Sequence, residues 1–175
     1  MQKNYKKSLF IFRRDLRLED NTGLIAALQQ SESVIPCFIF DTRQIGKTNA
    51  YRSIPAIQFM IESLQDLEQQ IAKRHGHLYL LFGIAQKVIE TLLKKEKIDA
   101  VFCNRDYSPF SMTRDDALAK VCHAHNAAFK QYDDLLLTEP EKIMTTSGTP
   151  YNIFTAFYKK ASPKKYSCTA KSASW

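Results

Sequence analysis

Short, wholly apolar runs alternate along this chain with longer stretches whose apolar positions recur every three to four residues. The runs are Ser8–Phe12, Ser33–Phe40, Leu78–Phe82 and Ala100–Asn104, and Ala128–Tyr132, which contains Lys130 and Gln131, is expected as a fifth strand. Runs without polar alternation indicate strands covered on both faces, as in a parallel sheet. Between them, Asp20, Asn21 and Thr22 offer caps for a helix continued by Leu24, Ile25 and Leu28. A long helix is predicted over Ala50–Lys73, where Ile54, Ile57, Ile61, Leu64, Leu67 and Ile71 form one stripe, and Gly76 ends it. Further helices are expected over Ala85–Lys95, with Val88, Ile89, Leu92 and Leu93 turned inward, and over Ser111–Asn126. Strict strand–helix alternation predicts an α/β fold: a doubly wound, Rossmann-like, five-stranded parallel sheet with helices on both faces.

After Asp134 the alternation stops. Loop residues lead to a short amphipathic segment, Tyr151–Tyr158, and beyond Ala161 the composition becomes Lys, Ser and Ala. The expected division is a disordered N-terminus over 1–7, one α/β domain over 8–160 and a basic tail or linker over 161–175. A chain of 175 residues suits one such domain. The net charge of +7 suggests nucleic acid until it is located. Lys159, Lys160, Lys164, Lys165 and Lys171 lie in the last seventeen residues with no acid among them, and setting those five aside leaves +2. The basic balance belongs to the tail, not to a groove on the folded body. No apolar run approaches the ~20 residues of a membrane span, and the N-terminus does not resemble a signal peptide. Cytoplasm is the expected location. Cys37, Cys103, Cys122 and Cys168 contain no C-x-x-C pair, and the strand cysteines read as small apolar groups.

Standard nucleotide and catalytic motifs are missing. The five glycines do not form G-x-G-x-x-G, and no G-x-S-x-G elbow is present. Gly46-Lys47-Thr48 resembles the end of a P-loop, but Asp41 stands where the upstream glycine belongs and would repel phosphate. His75, His77, His123 and His125 lack an accompanying ligand set at zinc spacing, so no metal site is expected. Topology is more informative. In the common doubly wound order, the first and fourth strands are neighbours and ligands bind at the switch point between them. The loops meeting there carry Arg13, Arg14, Asn104, Asp106 and Tyr107, with Phe38 and Asp41 beside them and Arg52 overhanging from the long helix. Arginines beside aromatics and a carboxylate suit a flat, partly anionic heteroaromatic ligand. A charged domain–domain surface is the equal alternative.

The string Phe12-Arg-Arg-Asp-Leu-Arg-Leu-Glu-Asp-Asn21 resembles the opening signature of the DNA photolyase/cryptochrome family. Three further blocks resemble its N-terminal domain, in the same order. They are Val34–Asp41, Asn104–Phe110 with Arg114-Asp115 after it, and Asp133–Leu137 with Pro150–Phe157. The resemblance covers about residues 8 to 160 and implies the N-terminal domain of a deoxyribodipyrimidine photolyase. Such a domain holds an antenna chromophore that passes excitation to FAD in a helical catalytic domain. That flavin domain is missing from this chain, and Trp175 is its only tryptophan. The chain by itself is therefore expected neither to bind that FAD nor to repair DNA. Its implied partners are the flavin-binding domain and, through a full-length protein only, damaged DNA. A cryptochrome-type blue-light receptor domain and a stand-alone nucleotide- or partner-binding module are the alternatives.

For the antenna, the resemblance implies Arg13, Phe38, Arg52, Asn104, Asp106, Ser108 and Phe110 as chromophore-binding residues. Folate-binding members place Asn-Glu where this chain has Phe110-Ser111. Deazaflavin-binding members are more similar at Phe38, Arg52, Asn104 and Asp106, with Ser108 replacing an acid common there. This favours 8-hydroxy-5-deazaflavin, with a flavin or folate as alternatives. Arg14, Arg17, Tyr151, Phe154 and Phe157 would face the flavin domain.

Overall fold

The computed structural model describes residues 3–136 and 138–162. Strands β1 (Tyr5–Phe12), β2 (Ser31–Phe40), β3 (Tyr79–Phe82), β4 (Ala100–Asn104) and β5 (Ala128–Tyr132) form one all-parallel sheet in the order 3-2-1-4-5. Helices α1 (Thr22–Gln30), α2 (Thr42–Ile45), α3 (Ile54–Ala72), α4 (Ala85–Lys95), α5 (Pro109–Ala124) and α6 (Phe154–Ala161) complete the described chain, with a 3-10 turn at Pro140–Lys142. Successive strand residues point to opposite faces, so β1 serves two cores at once. Phe10 and Phe12 pack with Leu24 of α1 and Leu64, Leu67 and Ile71 of α3. Leu9 and Ile11 pack with Ile89 of α4 and with Leu118 and Cys122 of α5. This double burial is why β1 reads as an unbroken apolar run over Leu9–Phe12. Cys37, Cys103 and Cys122 are free and buried, and burial pushes the Cys37 and Cys103 thiols up to about 12.

Several boundaries differ from the sequence reading. β1 starts at Tyr5, within the stretch expected to be disordered, because Asp99 Oδ2 accepts from Lys6 N at 2.8 Å and Lys7 N at 3.0 Å. Those lysine side chains hid the strand from a hydrophobic pattern. α3 starts at Ile54, not Ala50, because the Ser53 hydroxyl caps it, accepting from Ala56 N, and Pro55 sits in its first turn. α5, by contrast, starts early, at Pro109, behind a Ser108 cap. The loop over 42–49 contains the single turn α2, capped by Asp41. Of the tail expected over 161–175, Ala161 is buried at the end of α6, and residues 163–175 lie outside the described residues. No helix among the described residues is long and apolar enough to cross a membrane.

The predicted stripe on α3 is buried only in part. Leu64, Leu67 and Ile71 are covered, whereas Ile54 is 58% exposed and Phe59 73% exposed. Nineteen helical residues span about 28 Å, and only the second half of α3, from Leu64 to Ile71, is buried in the cluster with Phe10 and Phe12 of β1 and Phe38 of β2. The first half of α3 therefore overhangs the carboxyl ends of the strands.

The end of α3 also refines the role of Gly76. The left-handed residue is His75, at φ +61, with Gly76 N donating to Ile71 O and His75 N to Ala72 O. Gly76 is needed instead for space, since a Cβ there would stand 2.8 Å from Ile71 Cγ2. The αL site belongs to a Schellman motif, which favours glycine. Replacing His75 with glycine is expected to stabilise the domain by about 0.5–1 kcal/mol, after allowing for the added freedom of the unfolded chain. A urea titration checks the sign.

Candidate functional site

The strand order places the switch point between β1 and β4, and that crevice is already filled. Asn104, at the end of β4, is 2% exposed. Its side-chain oxygen accepts from Gly23 N at 2.9 Å, and its amide donates to Asp15 Oδ2 and to Asn21 Oδ1 at 2.8 Å. Asn21 Oδ1 also caps α1, accepting from Leu24 N. A Cβ on Gly23 would lie 2.5 Å from Asn104 Oδ1, so glycine is what lets α1 approach the strand end.

A second buried node ties β1, α5 and β5 together. The Arg13 guanidinium forks onto Asp115 through Nη1 at 2.8 Å and Nη2 at 2.6 Å, and Nη1 also donates to Asn104 O at 2.9 Å. Asp115 accepts further bonds from Arg114 Nε at 3.0 Å and Gln131 Nε2 at 2.8 Å. Two arginines thus share one carboxylate. Burial, followed by the neighbouring Arg13 charge, pushes the Arg114 guanidinium below its usual value. Arg114 Nη2 is buried with no hydrogen-bond partner among the described residues.

The open space lies one strand over, above the tips of β1 and β2. A cavity of about 210 Å³ is floored by Ile11, Phe38 and Ile39, walled by Met60 of α3 and Leu118 of α5, and rimmed by Arg13, Arg14, Asp41, Asp106 and Arg114. Asp41 makes a bidentate pair with Arg43, at 2.9 Å to Nε and 2.6 Å to Nη2, and accepts from Ala85 N at the start of α4. Burial opposes its charged form, but bonds from Arg43 and Ala85 outweigh that and hold its carboxyl below the usual range. The Arg43 guanidinium sits 4.9 Å from the Phe110 ring centroid, linking the β2 exit to α5. Asp106 follows the same logic. Burial is outweighed by Ser108 N, the Ser111 hydroxyl and the charges of Arg14 and Arg114, so it too stays ionised. The result is an apolar slot with a charged, largely prearranged rim.

Of the residues predicted for the site, Arg13, Phe38 and Asp106 line this cavity. Ser108 supports Asp106 from the cap of α5, and Phe110 packs beneath Arg43. Asn104 and Arg52 do not reach it: Asn104 is sealed under α1, and exposed Arg52 donates from Nε to Ile45 O. Tyr107 turns away, its hydroxyl bonded to Asp133. Arg14 lines the rim with its side chain 70% exposed, and Arg17 is held by Asp134 at 2.9 Å. Phe154 is exposed and stacks on Tyr158, while Tyr151 and Phe157 are half-buried; none lines the cavity. Sequence reasoning missed Arg43, Met60 and Arg114. Among the described residues no group of three His, Cys, Asp or Glu could hold a metal ion.

The chain is similar to known proteins over nearly its whole length. It is 35% identical over 159 residues to a deoxyribodipyrimidine photo-lyase of Synechococcus sp., covering 89% of this chain and 32% of that one. An archaeal photolyase of Sulfolobus tokodaii, solved with two FAD molecules and reported as implying a novel light-harvesting cofactor, superposes with a TM-score of 0.86. It is 42% identical, and the match covers 95% of this chain and 37% of that one. A class III photolyase of Agrobacterium tumefaciens superposes with a TM-score of 0.82 at 27% identity, over 99% of this chain and 35% of that one. The chain spans about a third of the length of these relatives. The family model for DNA photolyase matches residues 8–173, and the chain belongs to the DNA photolyase family.

Proposed function

We propose that this chain is the light-harvesting domain of a photolyase, and that the cavity over β1 and β2 holds the ring of an antenna chromophore. The observation that carries this reading is an apolar slot with a charged rim, formed by Phe38, Ile39, Met60 and Arg114 at the strand tips. Its volume of about 210 Å³ falls below the ~300 Å³ at which drug-sized sites begin. It therefore suits a flat ring better than a whole dinucleotide, and any sugar–phosphate arm would lie outside the slot. The ring of a flavin or of 8-hydroxy-5-deazaflavin is of this kind. A flavin gains support from the Sulfolobus tokodaii relative, which carries two FAD molecules. Burial among packed side chains keeps such a ring rigid and dry. The bound group supplies absorption of light and donation of its excitation; the protein orients it and excludes water. The acceptor would be FAD in a catalytic domain, and repair of pyrimidine dimers would belong to the two domains together.

Fluorescence titration of the chain with riboflavin, FAD, 8-hydroxy-5-deazaflavin and a methenyl folate tests the reading. Saturable binding is expected for at least one flavin or deazaflavin, with riboflavin competing against FAD because the ring is the anchored part. Binding of folate alone, or of none of the four, would overturn the assignment.

A further inference from the structure

Arg114 is the one member of the buried arginine pair left with a hydrogen bond to give. Its side chain is 9% exposed, and among the described residues its hydrogen bond joins Nε to Asp115 at 3.0 Å. The fork of Asp115 is taken by Arg13. Phe110 stands 5.9 Å from the guanidinium carbon and offers a ring face but no oxygen. Asp106, also on the rim, is engaged by Ser108 N and by the Ser111 hydroxyl, with Arg14 3.5 Å away. Arg114 thus lines an apolar cavity, and its Nη2 is a buried donor without a hydrogen-bond partner among the described residues. Leaving such a group unpaired costs stability in the ligand-free protein. An oxygen acceptor brought in by a ligand would remove that cost, and the pairing would be charge-assisted in a site of low dielectric.

Resting on the antenna reading above, we infer that Arg114 is the anchoring residue of the cavity, donating from Nη2 to an oxygen on the edge of the bound ring. Two sources could supply that oxygen: a carbonyl or ionised hydroxyl of the ring, or the phosphate of a nucleotide arm. The cavity is ring-sized and Arg114 lies on its wall, so the ring edge is the partner. A ring without an edge oxygen would leave the donor unpaired and be rejected, as sites built to hydrogen-bond a group reject analogues lacking it.

The test uses Arg114→Met and Arg114→Lys in the full chain, with riboflavin, FAD and 8-hydroxy-5-deazaflavin as probes. The Arg13–Asp115 ion pair uses no atom of residue 114 and is kept in both variants. Arg114→Met is expected to weaken binding of the preferred ring by about 10- to 100-fold. The melting temperature of the ligand-free chain should stay the same or rise, because an orphaned buried donor has been removed. Arg114→Lys should recover part of the affinity. If riboflavin and FAD weaken by the same factor, the ring edge is the partner; if only FAD weakens, Arg114 holds phosphate and the ring-edge inference fails. Unchanged affinity in Arg114→Met, or a melting temperature that falls while affinity holds, would make Arg114 structural and overturn the inference alone. If the unmodified chain binds none of the probes, the antenna reading fails and this inference falls with it.

Discussion

Replacing Asp115 with asparagine is expected to destabilise the domain by about 3–5 kcal/mol, the cost of breaking a buried ion pair from one side. The side chains of Arg13 and Asp115 are 7% and 6% exposed, so solvent does little to screen the loss. The change keeps the shape of the side chain and removes its charge. Both Arg13 and Arg114 then lie buried with no counterion touching them, and the amide NH2 of the new side chain meets donors where the carboxylate met them. Four hydrogen bonds from three residues converge on Asp115, drawn from β1, α5 and β5. One substitution therefore loosens elements on both sides of β4. The measurement is the urea midpoint, read together with the slope to confirm that only stability has moved. A companion double variant, Arg13→Met with Asp115→Leu, should recover much of the loss because it buries neither charge. A loss below about 1 kcal/mol in Asp115→Asn, the size typical of exposed pairs, would mean that this node is solvated.

The contrast between strands and site shows where sequence reasoning reaches. The strands were recoverable because their runs are largely apolar, with β1 and β4 buried on both faces, and the pairing of the first strand with the fourth follows from the few arrangements open to alternating strands and helices. α4 was placed to the residue, with the same bounds, Ala85–Lys95. Asn104 was expected to face a ligand because polar residues at strand tips often do. Simple alternation would have said otherwise: Phe102 packs against the α1 side of the sheet, and two residues later Asn104 points the same way, beneath Gly23. Arg43 was hidden because its position depends on the single turn α2, which a polar loop of eight residues does not announce. Arg114 was hidden for a different reason. Beside Asp115 in sequence it reads as satisfied, and only the fold reveals that Arg13, a hundred residues away, has claimed that carboxylate. Pairings between distant residues, unlike periodicity, leave no local trace.

Asn104→Ala tests the other node, and a loss of about 3–4 kcal/mol is expected. Three hydrogen bonds go at once: the Gly23 N–H is left unpaired, while Asn21 Oδ1 keeps only Leu24 N and Asp15 Oδ2 keeps only the longer bond from Asn21 Nδ2. The unpaired Gly23 N–H costs about 1–3 kcal/mol and each of the two other lost hydrogen bonds about 0.5–1.5 kcal/mol, and neighbours in one network do not add in full, which sets the range. Asn104→Asp separates hydrogen bonding from charge. It keeps an acceptor for Gly23 N yet sets a second carboxylate against Asp15, so at neutral pH it should be worse than alanine. Like carboxylates held together bind a proton more tightly folded than unfolded. Relative to the parent chain, the penalty of Asn104→Asp should therefore shrink as pH falls into the carboxylate range and grow as pH rises through it. Parallel denaturation of the three chains at pH 4 and pH 7 reads this directly. If Asn104→Asp keeps the same penalty at both, Asp15 does not face residue 104 closely enough to feel it, and the latch beneath α1 must be held by Gly23 and Asn21 alone.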